Sequence, residues 1–526
     1  MRAQPVRTAT LAVGALAALS APLALGGAPA LAGDDGRRNG QSIDTKADLT
    51  PFEKFQPLAA SAPCPGAPSG RQAKPFVIPA GFDQQVVTEE GEPGYNGNTD
   101  NWDMSTQNEF GKDAGRYIYR THENRRGQAS QVSLTDLQTG QNRVLAERSD
   151  WEAFDGIVWT PWGTILAAEE VTKASARDPQ VPQAEAGLVY EFFLDLKDPS
   201  KLDPSREQIT PGDGTTDTTQ DGIRVRPALG AKAHEGLRFD KQGNLYGIAE
   251  SRGRTTVGAS GGIFRFVPDR KGDLSTGRLQ AFDSPNGQDG DGRWLDLDRT
   301  QVQINADREA EAKGANEYMR PEDVETGQST GKDRNNGGQT LYVSLTEGED
   351  EGVLAIDLSN PTRPFAYDYV GQQAGNASKA TGFSMPDNLA LDSKGNLLIA
   401  EDPGGEPPAK KEGDDYFVAA PPQAGRHQPA TTVQRFASLK DCIAEPSGPY
   451  FAMAGTEKFA RQNPDRDVAT RVSGETLFAH RQHAGQSSVI DQLVAISPSG
   501  AAASGAAASG AASVAVPVRV RASFTG

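Results

Sequence analysis

Acidic residues in this chain gather in short clusters that follow apolar segments. Buried carboxylates that converge repel one another and are costly to desolvate, so such a group is normally stabilised by a bound cation. Hard ions such as Ca²⁺ suit them, with roughly six to eight oxygen ligands. The clusters are Glu169-Glu170, His234-Glu235, Glu250-Ser251, Arg320-Pro321-Glu322-Asp323 and Glu401-Asp402. They predict a metal site, whereas any single acid could instead lie on a solvated loop or pair with an arginine.

A repeat places some of these acids at equivalent positions. Residues 237–250 and 389–401 share an apolar strand, an Asp/Gly turn and a second strand that ends in an acid. Residues 162–169 form a partial third copy, and the spacing from glycine to acid is the same in 163–169 and 395–401. Sheet units that recur without helices are typical of a β-propeller, in which the innermost strands surround a channel. Acids that end the same strand in several blades would therefore form a ring.

The rest of the central region predicts the same fold class. Short apolar segments run from 117–119 to 489–496 and are separated by clusters of Gly, Asn, Asp and Pro, which are turn formers. No segment shows sustained helical periodicity, and 306–317 is the best helical candidate. We predict an all-β fold, a six-bladed β-propeller with long loop insertions.

Four segments divide the chain. Residues 1–32 combine an early positive charge, an apolar stretch and an Ala-Leu-Ala cleavage pattern, which predicts a signal peptide and secretion, with a retained anchor as the alternative. Residues 33–75 are a polar, Pro-rich leader, and 76–497 form the propeller. Residues 498–526 are an Ala/Ser/Gly-rich linker and tail.

Charge and motif content exclude several function classes. With 70 acidic and 53 basic side chains and a formal charge of −17, the chain is unsuited to nucleic acid or anionic lipid. It contains no G-x-S-x-G, no P-loop and no dinucleotide-binding glycine pattern, which disfavours serine hydrolases and nucleotide-binding enzymes. Its two cysteines, Cys64 and Cys442, are a candidate disulfide outside the cytoplasm, and two free thiols are the alternative.

Several of these segments resemble the PhoX-type alkaline phosphatase family. The most specific is TPWGTILAAEE at 160–170, and five such motifs occur in the family's order across about 120–485. The others are HE at 234–235, RPED at 320–323 followed by LYVSL at 341–345, DNLAL at 387–391 continuing to 402, and TLFAHRQHAG at 476–485. The resemblance implies a secreted six-bladed propeller that hydrolyses phosphate monoesters at a mixed iron and calcium centre.

The resemblance also implies roles for residues of this sequence. The metal ligands would be Glu169 or Glu170, Glu235, Glu322, and Glu401 or Asp402. The catalytic residues would be Arg320 and Glu322, with the Arg320 guanidinium contacting the phosphate. The implied partner is a small-molecule phosphate ester bound by a monomer that contacts neither nucleic acid nor membrane.

Three departures from the family pattern concern the iron. Ala168 stands where the family has an iron-ligating cysteine, and the preceding 150–156 segment lacks the family's Asn-rich, Cys-containing sequence. The signal region also lacks the twin-arginine pair that the family often uses to export a folded, iron-loaded protein. We predict that Ca²⁺ is the main ion and that iron is doubtful, with Asp150, Glu152 and Asp155 as candidate compensating ligands.

Two other readings remain open at this stage. One is a catalytically inactive, calcium-binding propeller that acts as a binding module. The other is a lactonase-type hydrolase on the same fold, whose metal site would use Asp387 and Asn388. Arg320 discriminates between a phosphatase and a lactonase, because a phosphate site needs its guanidinium at the metal cluster and a lactone site does not.

Overall fold

The computed structural model describes residues 51–499, apart from several internal gaps. These gaps are 65–69, 96–100, 129, 252–260, 285–289, 327–338, 372–373, 375–381, 403–410, 423, 454, 461–475 and 483–489. The predicted signal peptide, most of the leader and nearly all of the C-terminal tail lie outside the described residues. No helix among the described residues is long and apolar enough to cross a bilayer.

Strands dominate the described chain, as the segment pattern predicts. The first fourteen are β1 (Phe76–Val77), β2 (Phe82–Glu89), β3 (Trp102–Gln107), β4 (Tyr117–His122), β5 (Ser130–Asp136), β6 (Gln141–Arg148), β7 (Phe154–Trp159), β8 (Thr164–Glu169), β9 (Val189–Asp195), β10 (Asp198–Leu202), β11 (Ile223–Val225), β12 (Leu237–Phe239), β13 (Leu245–Ile248) and β14 (Ile263–Arg270). The others are β15 (Asp273–Asp283), β16 (Gly290–Asp291), β17 (Arg293–Asp296), β18 (Pro321–Glu325), β19 (Thr340–Leu345), β20 (Gly352–Asp357), β21 (Phe365–Gly371), β22 (Pro386–Leu391), β23 (Leu397–Glu401), β24 (Asp415–Ala420), β25 (Thr432–Leu439), β26 (Tyr450–Phe451), β27 (Leu477–Arg481) and β28 (Gln492–Pro498). The α-helices are α1 (Ala306–Lys313), inside the predicted helical segment, and the short α2 (Glu457–Ala460). Short 3-10 turns occupy Pro51–Glu53, Pro204–Arg206 and Pro227–Leu229.

Six antiparallel sheets form the six blades of a β-propeller, which confirms the predicted fold class. We number the blades by their innermost strands β3, β7, β12, β18, β22 and β26. Neighbouring blades contact through these inner strands around the axis, from β3 and β7 through to β22 and β26. The circle closes in blade 6, where N-terminal β2 pairs with C-terminal β28, from Phe82 opposite Pro498 to Glu89 opposite Gln492.

The core consists of six apolar clusters, one between each pair of neighbouring blades. Strand β8 shows how the sequence builds them, because successive side chains of a strand point to opposite faces. Ile165 packs between blades 1 and 2, and Leu166 and Ala168 pack between blades 2 and 3. Both faces of a blade are therefore covered, and its strands are continuous apolar segments.

The Asp/Gly turn of the repeat connects the inner strand of a blade to its second strand. Asp392 accepts hydrogen bonds from both the backbone N–H and the side-chain amide of Asn396. Gly395 has a φ of 83°, in the left-handed region that glycine adopts most easily. The same contacts recur at 240–244, and a threonine version occurs at 160–164. This shared turn sets where each second strand begins and where its last residue lies.

A disulfide bond between Cys64 and Cys442 attaches the leader to blade 5. The two Cα atoms are 5.3 Å apart and the residues are separated by 378 positions. The leader is also held there by the Leu58 N–H, which donates to the carbonyl of Arg435 at 3.1 Å.

Loss of this disulfide should lower stability without affecting the channel. We expect Cys64→Ser together with Cys442→Ser to reduce the free energy of unfolding by about 3–5 kcal/mol, since the closed loop is long. Urea unfolding of the variant and the parent chain measures the difference. A change below about 1 kcal/mol would contradict the expectation.

Candidate metal centre

The inner strands carry a first ring of acids at one end of the channel. Five blades contribute one buried acid each, at or just before the start of the inner strand. They are Asp103, Asp155, Glu235, Glu322 and Asp387, each no more than 8 % exposed. Blade 6 has Ser447 at the corresponding place, two residues after Glu445, which bridges to Gln482. This ring arises because five unrelated segments enter the sheet in the same way.

A second ring lies at the ends of the second strands, beside the first. Each of its members donates a backbone N–H to the residue two positions before a first-ring acid or, in blade 6, before Ser447. The four acidic members are Glu123 (to Asn101), Glu170 (to Ala153), Glu250 (to Ala233) and Asp402 (to Met385). Thr346 and Gln482 occupy the remaining two places through the same backbone bond. Nine acids from two strands per blade therefore meet at one end of the channel, with Glu445 as a tenth beside them.

Three first-ring acids form a ready-made cation site. Glu235, Glu322 and Asp387 are buried, and one carboxylate oxygen from each lies within 4.8 Å of the others. Among the described residues, Glu235 Oε2 and Asp155 Oδ1 are buried carboxylate oxygens that receive no hydrogen bond. Buried oxygens of this kind are costly unless a cation or proton satisfies them, so the donor set fits a metal ion.

Arg320 is the cation that the chain itself supplies to this cluster. Its Nε lies 2.7 Å from Glu250 and 2.9 Å from Glu322, and its terminal nitrogen lies 3.2 Å from Asp402. One arginine thus contacts both rings. The backbone φ of Arg320 is 51°, in the left-handed region. Asn101, Ala153 and Met385 stand at the equivalent place before their own inner strands and also have positive φ. The left-handed entry is therefore a feature of the blades and not of Arg320 alone.

Burial, followed by mutual repulsion, raises the pKa values of several ring carboxyls. Burial is the largest cause for Asp155, and the charges of Asp103 and Glu123 add to it. Burial and the charge of Glu250 raise the pKa of Glu322 to about 8, against the opposing effect of Arg320. Burial followed by the charge of Glu322 likewise raises the pKa of Glu235. Without a cation, the folded chain therefore holds protons in this cluster at neutral pH.

This gives the metal-free chain a distinctive pH dependence. The unfolded chain releases these protons near an ordinary pKa of about 4.3, while the folded chain keeps that of Glu322 until about pH 8. The folded state binds more protons across this window, so its free energy of unfolding should decrease as pH rises from about 5 to 8. Urea unfolding with EGTA present at four pH values measures the slope, and a rising stability over this range would contradict the account.

The two acid pairs at the ends of the repeat strands, Glu169-Glu170 and Glu401-Asp402, each contain one residue that contacts loop backbone and one that lies in the second ring. Glu169 accepts the backbone N–H groups of Glu152 and Leu188 at 2.9 and 3.0 Å, and Glu401 accepts the N–H of Ser384 at 2.8 Å. These two carboxylates hold loop backbone. Their neighbours Glu170 and Asp402 belong to the second ring. The structure therefore separates the members of each pair that the sequence left as alternatives.

The three residues predicted to compensate for the missing cysteine, Asp150, Glu152 and Asp155, lie in different surroundings. Asp155 is in the first ring, where Asp103, Glu123 and Asp387 act on its carboxyl. Asp150 pairs with Arg148, and Glu152 accepts hydrogen bonds from Ser175. Only Asp155 of this trio is brought to the cluster among the described residues.

The described histidines near the channel have other partners. His122 bonds to Ser133 at 2.8 Å, and His480 bonds to Ser105 at 3.0 Å. His234 lies 2.7 Å from the Lys232 ammonium and 2.8 Å from the carbonyl of Gly230. His483 lies outside the described residues. The donor set described for the rings therefore consists of oxygens.

The sequence analysis did not mark Asp103, Glu123 or Glu445 as ligands. It marked Glu250 only as part of an acid cluster and Asp387 only for the lactonase alternative, so neither was in the ligand set that the family resemblance implies. A usable signal was present for the second ring, because Glu170, Glu250 and Asp402 each follow a turn glycine by seven residues. The glycines are Gly163, Gly243 and Gly395. Asp103 and Asp387 have no such repeat to mark them, since each is an acid near the start of an otherwise ordinary strand.

Fold and site together define a six-bladed propeller whose channel is lined by buried carboxylates around one arginine. The chain belongs to the alkaline phosphatase PhoX family, whose model matches residues 124–465, nearly two thirds of its length.

Two solved structures match most of the chain. Pseudomonas fluorescens PhoX, in complex with vanadate as a transition state analogue, is 17 % identical, with a TM-score of 0.52 over 83 % of this chain and 98 % of that one. A gluconolactonase from Xanthomonas campestris is 13 % identical, with a TM-score of 0.38 over 81 % of this chain and 98 % of that one. No curated protein matches the sequence.

Proposed function

We propose that this chain is a secreted, calcium-dependent phosphomonoesterase. The observation that carries the proposal is Arg320, whose guanidinium lies inside a buried carboxylate cluster that can hold cations. A phosphoryl group needs both elements, since cations and a planar guanidinium bind its oxygens together. Membership of the PhoX family supports the same reaction.

The ring carboxylates are the residues that would hold the metal. Glu235, Glu322 and Asp387 would form its centre, with Asp155, Glu170 and Asp402 around them. An oxygen-only donor set favours a hard ion, which supports Ca²⁺. When bound, such ions neutralise phosphoryl oxygens and lower the pKa of a bound water.

Ala168 supports calcium over thiolate-bound iron. Its side chain is fully buried between blades 2 and 3, packed among apolar residues. A methyl group offers no ligand, so the second strand of blade 2 contributes carboxylates alone. We therefore propose that iron is dispensable here.

The chain's own residues position the phosphate. Arg320 would clamp two phosphoryl oxygens once cations have taken over the charges of Glu250 and Asp402, which it contacts here. Gln482 and Asn101 hold Glu123 in place, at 3.4 and 3.1 Å from its carboxylate. In the reaction a water oxygen bonds to phosphorus, the bond to the alcohol oxygen breaks, and that oxygen takes up a proton.

Secretion remains part of the proposal. We propose that residues 1–32 are removed as a signal peptide and that calcium is acquired outside the cell. The disulfide between Cys64 and Cys442 supports an oxidising destination.

A lactonase reading receives less support from the contacts of Asn388. Its side-chain oxygen accepts the N–H of Gly448 at 2.8 Å, and its amide nitrogen donates to Asp387 at 2.9 Å. The amide oxygen is thus engaged with backbone and not offered to the channel. The alternative of an inactive binding module is tested by measuring whether the calcium-loaded chain hydrolyses any of three substrates.

Three substrates distinguish the readings. We expect the calcium-loaded mature chain to hydrolyse p-nitrophenyl phosphate, and to act on bis(p-nitrophenyl) phosphate and on glucono-δ-lactone at least about a hundredfold more slowly. Hydrolysis of the lactone alone would establish the lactonase reading. Calcium binding with no hydrolysis of any of the three would establish a binding module.

Adjacent glutamates provide a matched test of the site. We expect Glu170→Gln to lower kcat/KM at least about tenfold and to weaken calcium binding, because Glu170 is a ring member. Glu169→Gln should cost about 1–3 kcal/mol of stability while changing kcat/KM less than about threefold, because Glu169 holds backbone amides. Kinetics with p-nitrophenyl phosphate and urea unfolding of both variants check this, and the reverse pattern would contradict the assignment.

A further inference from the structure

A cavity of about 610 Å³ lies beside the loop that follows β8, the strand after which Glu170 joins the second ring. Its walls come from the loop between β8 and β9, which begins directly after Glu170, and from the segment around the start of α1. Such a volume is typical of a small-molecule site. Thr172, two residues beyond Glu170, lines the cavity, which places its wall within about 7 Å of a ring residue along the chain.

Hydrogen bonds join this cavity to the channel. The N–H of Glu185 donates to the carbonyl of Ile304 at 2.9 Å, which holds the two walls together. Ser175, another lining residue, donates to the Glu152 carboxylate at 2.8 Å, one residue before the Ala153 carbonyl that accepts from Glu170. The cavity wall and the second ring therefore both form hydrogen bonds with the same short segment, Glu152-Ala153.

The lining is basic although the protein is strongly acidic. Lys173, Arg177 and Arg308 line the cavity, and Glu185 is the acid among the lining residues. Glu185 pairs with both arginines, so the lining residues carry a net charge of +2. Behind the wall, the Arg126 guanidinium donates to the carbonyls of Ala176 and Arg177, and its charge is offset by the Glu152 carboxylate that accepts from Ser175.

These arginines are accessible to a ligand, although Nη1 of Arg177 also donates to the carbonyl of Ala184 at 2.7 Å. The Arg177 and Arg308 side chains are 57 % and 54 % exposed, and exposed ion pairs of this kind contribute little stability. An anion can therefore replace Glu185 at small cost. Arg308 also lies in the first turn of α1, whose N-terminal dipole favours negative charge in the cavity.

We infer that this cavity binds the leaving group of the substrate and selects phosphate monoesters whose alcohol part carries a second anionic group, a carboxylate or another phosphate. The inference rests on the proposed phosphomonoesterase function. The scissile phosphate occupies the rings with Arg320, and the second anion lies between Arg177 and Arg308. After the phosphorus–oxygen bond breaks and the alcohol oxygen takes up a proton from water, the anionic alcohol leaves through the cavity.

Matched substrate pairs test the inference. 3-Phosphoglycerate and glycerol 3-phosphate differ in a carboxylate, and glucose 1,6-bisphosphate and glucose 6-phosphate differ in a phosphate. We expect kcat/KM to be at least about tenfold higher for the anionic member of at least one pair, since a charge-assisted hydrogen bond corresponds to about that factor. The two pairs show which anion is preferred.

Arginine variants test whether the preference for the anionic substrate arises in the cavity. Arg308→Ala should reduce the preference ratio about tenfold, and Arg177→Ala should reduce it as well. Arg299 is the matched control, because it is also 57 % exposed and paired with an aspartate, Asp269 at the far end of β14. Arg299→Ala should leave the ratio unchanged. A ratio near one in the parent chain, or a ratio that neither cavity variant changes, would overturn the inference.

The cavity can also be tested if the chain proves to have no phosphomonoesterase activity. If the chain hydrolyses neither these esters nor p-nitrophenyl phosphate, calorimetric titration with 3-phosphoglycerate tests the cavity directly. Binding that Arg308→Ala weakens about tenfold supports the cavity as an anion site, and absence of binding overturns it.

Discussion

Arg320→Ala should reduce kcat/KM for p-nitrophenyl phosphate by about 10²–10³-fold in the calcium-loaded chain. The guanidinium is the one positive group found in direct contact with both acid rings among the described residues. Loss of a single preorganised donor at a developing negative charge has an effect of this size. Steady-state kinetics at saturating calcium measure it.

Two controls make this result specific. Arg320→Lys keeps a charge but loses the bidentate geometry, so it should recover part of the activity and remain about tenfold below the parent chain. Arg299→Ala removes an exposed arginine outside the channel and should have no effect. Thermal unfolding in calcium must show that each variant is folded. Activity of Arg320→Ala within about threefold of the parent would contradict the assignment of the clamp.

Chelation should both inactivate and destabilise the chain. A single ion at a hundred times its dissociation constant stabilises a folded protein by about 2.7 kcal/mol, and Glu235, Glu322 and Asp387 offer ligands for such an ion. We expect EGTA to lower the melting temperature by several degrees and added Ca²⁺ to restore it. Differential scanning calorimetry with and without calcium measures the shift.

Asp387→Asn should raise the melting temperature of the calcium-free chain and reduce the gain that added calcium brings. Without calcium the substitution removes one member of a mutually repelling group, so the melting temperature should rise. With calcium it removes a ligand, so the gain from added ion should shrink. A melting temperature that does not respond to calcium in the parent chain would contradict a calcium centre.

The fold was predictable because its signal is repeated. The Asp/Gly turn, the apolar strands and the terminal acid recur in several blades, and repetition compensates for the weakness of each single pattern. Helix α1 was visible for a different reason, since its capping residue Asn305 and the following Gly314 bracket a helical segment.

The site was predictable only in part, because a strand reverses the direction of its side chains at every residue. The sequence marked Glu169-Glu170 and Glu401-Asp402 but could not say which member of each pair faces the channel. The answer depends on the backbone bonds at the strand end, where Glu170 donates to Ala153 and Asp402 donates to Met385. Counting from the turn glycine instead of from the end of the apolar segment selects Glu170 and Asp402, the members that lie in the second ring.

Asp103 and Glu445 could be assigned to the site only from the closed propeller. They lie in blades 1 and 6, which lack the repeat, and their proximity to Asp387 results from closure of the propeller through β2 and β28. A pattern read along one chain does not contain that long-range geometry.

We propose that the chain hydrolyses phosphate monoesters with Arg320 and with carboxylates that would hold Ca²⁺, without thiolate-bound iron. The most direct measurement is hydrolysis of p-nitrophenyl phosphate by the purified mature chain after chelation, with Ca²⁺ alone returned to one sample and Ca²⁺ plus iron to another. The account predicts full recovery with Ca²⁺ alone. Recovery only when iron is also present would contradict the calcium assignment, and no recovery in either sample would contradict the phosphatase itself.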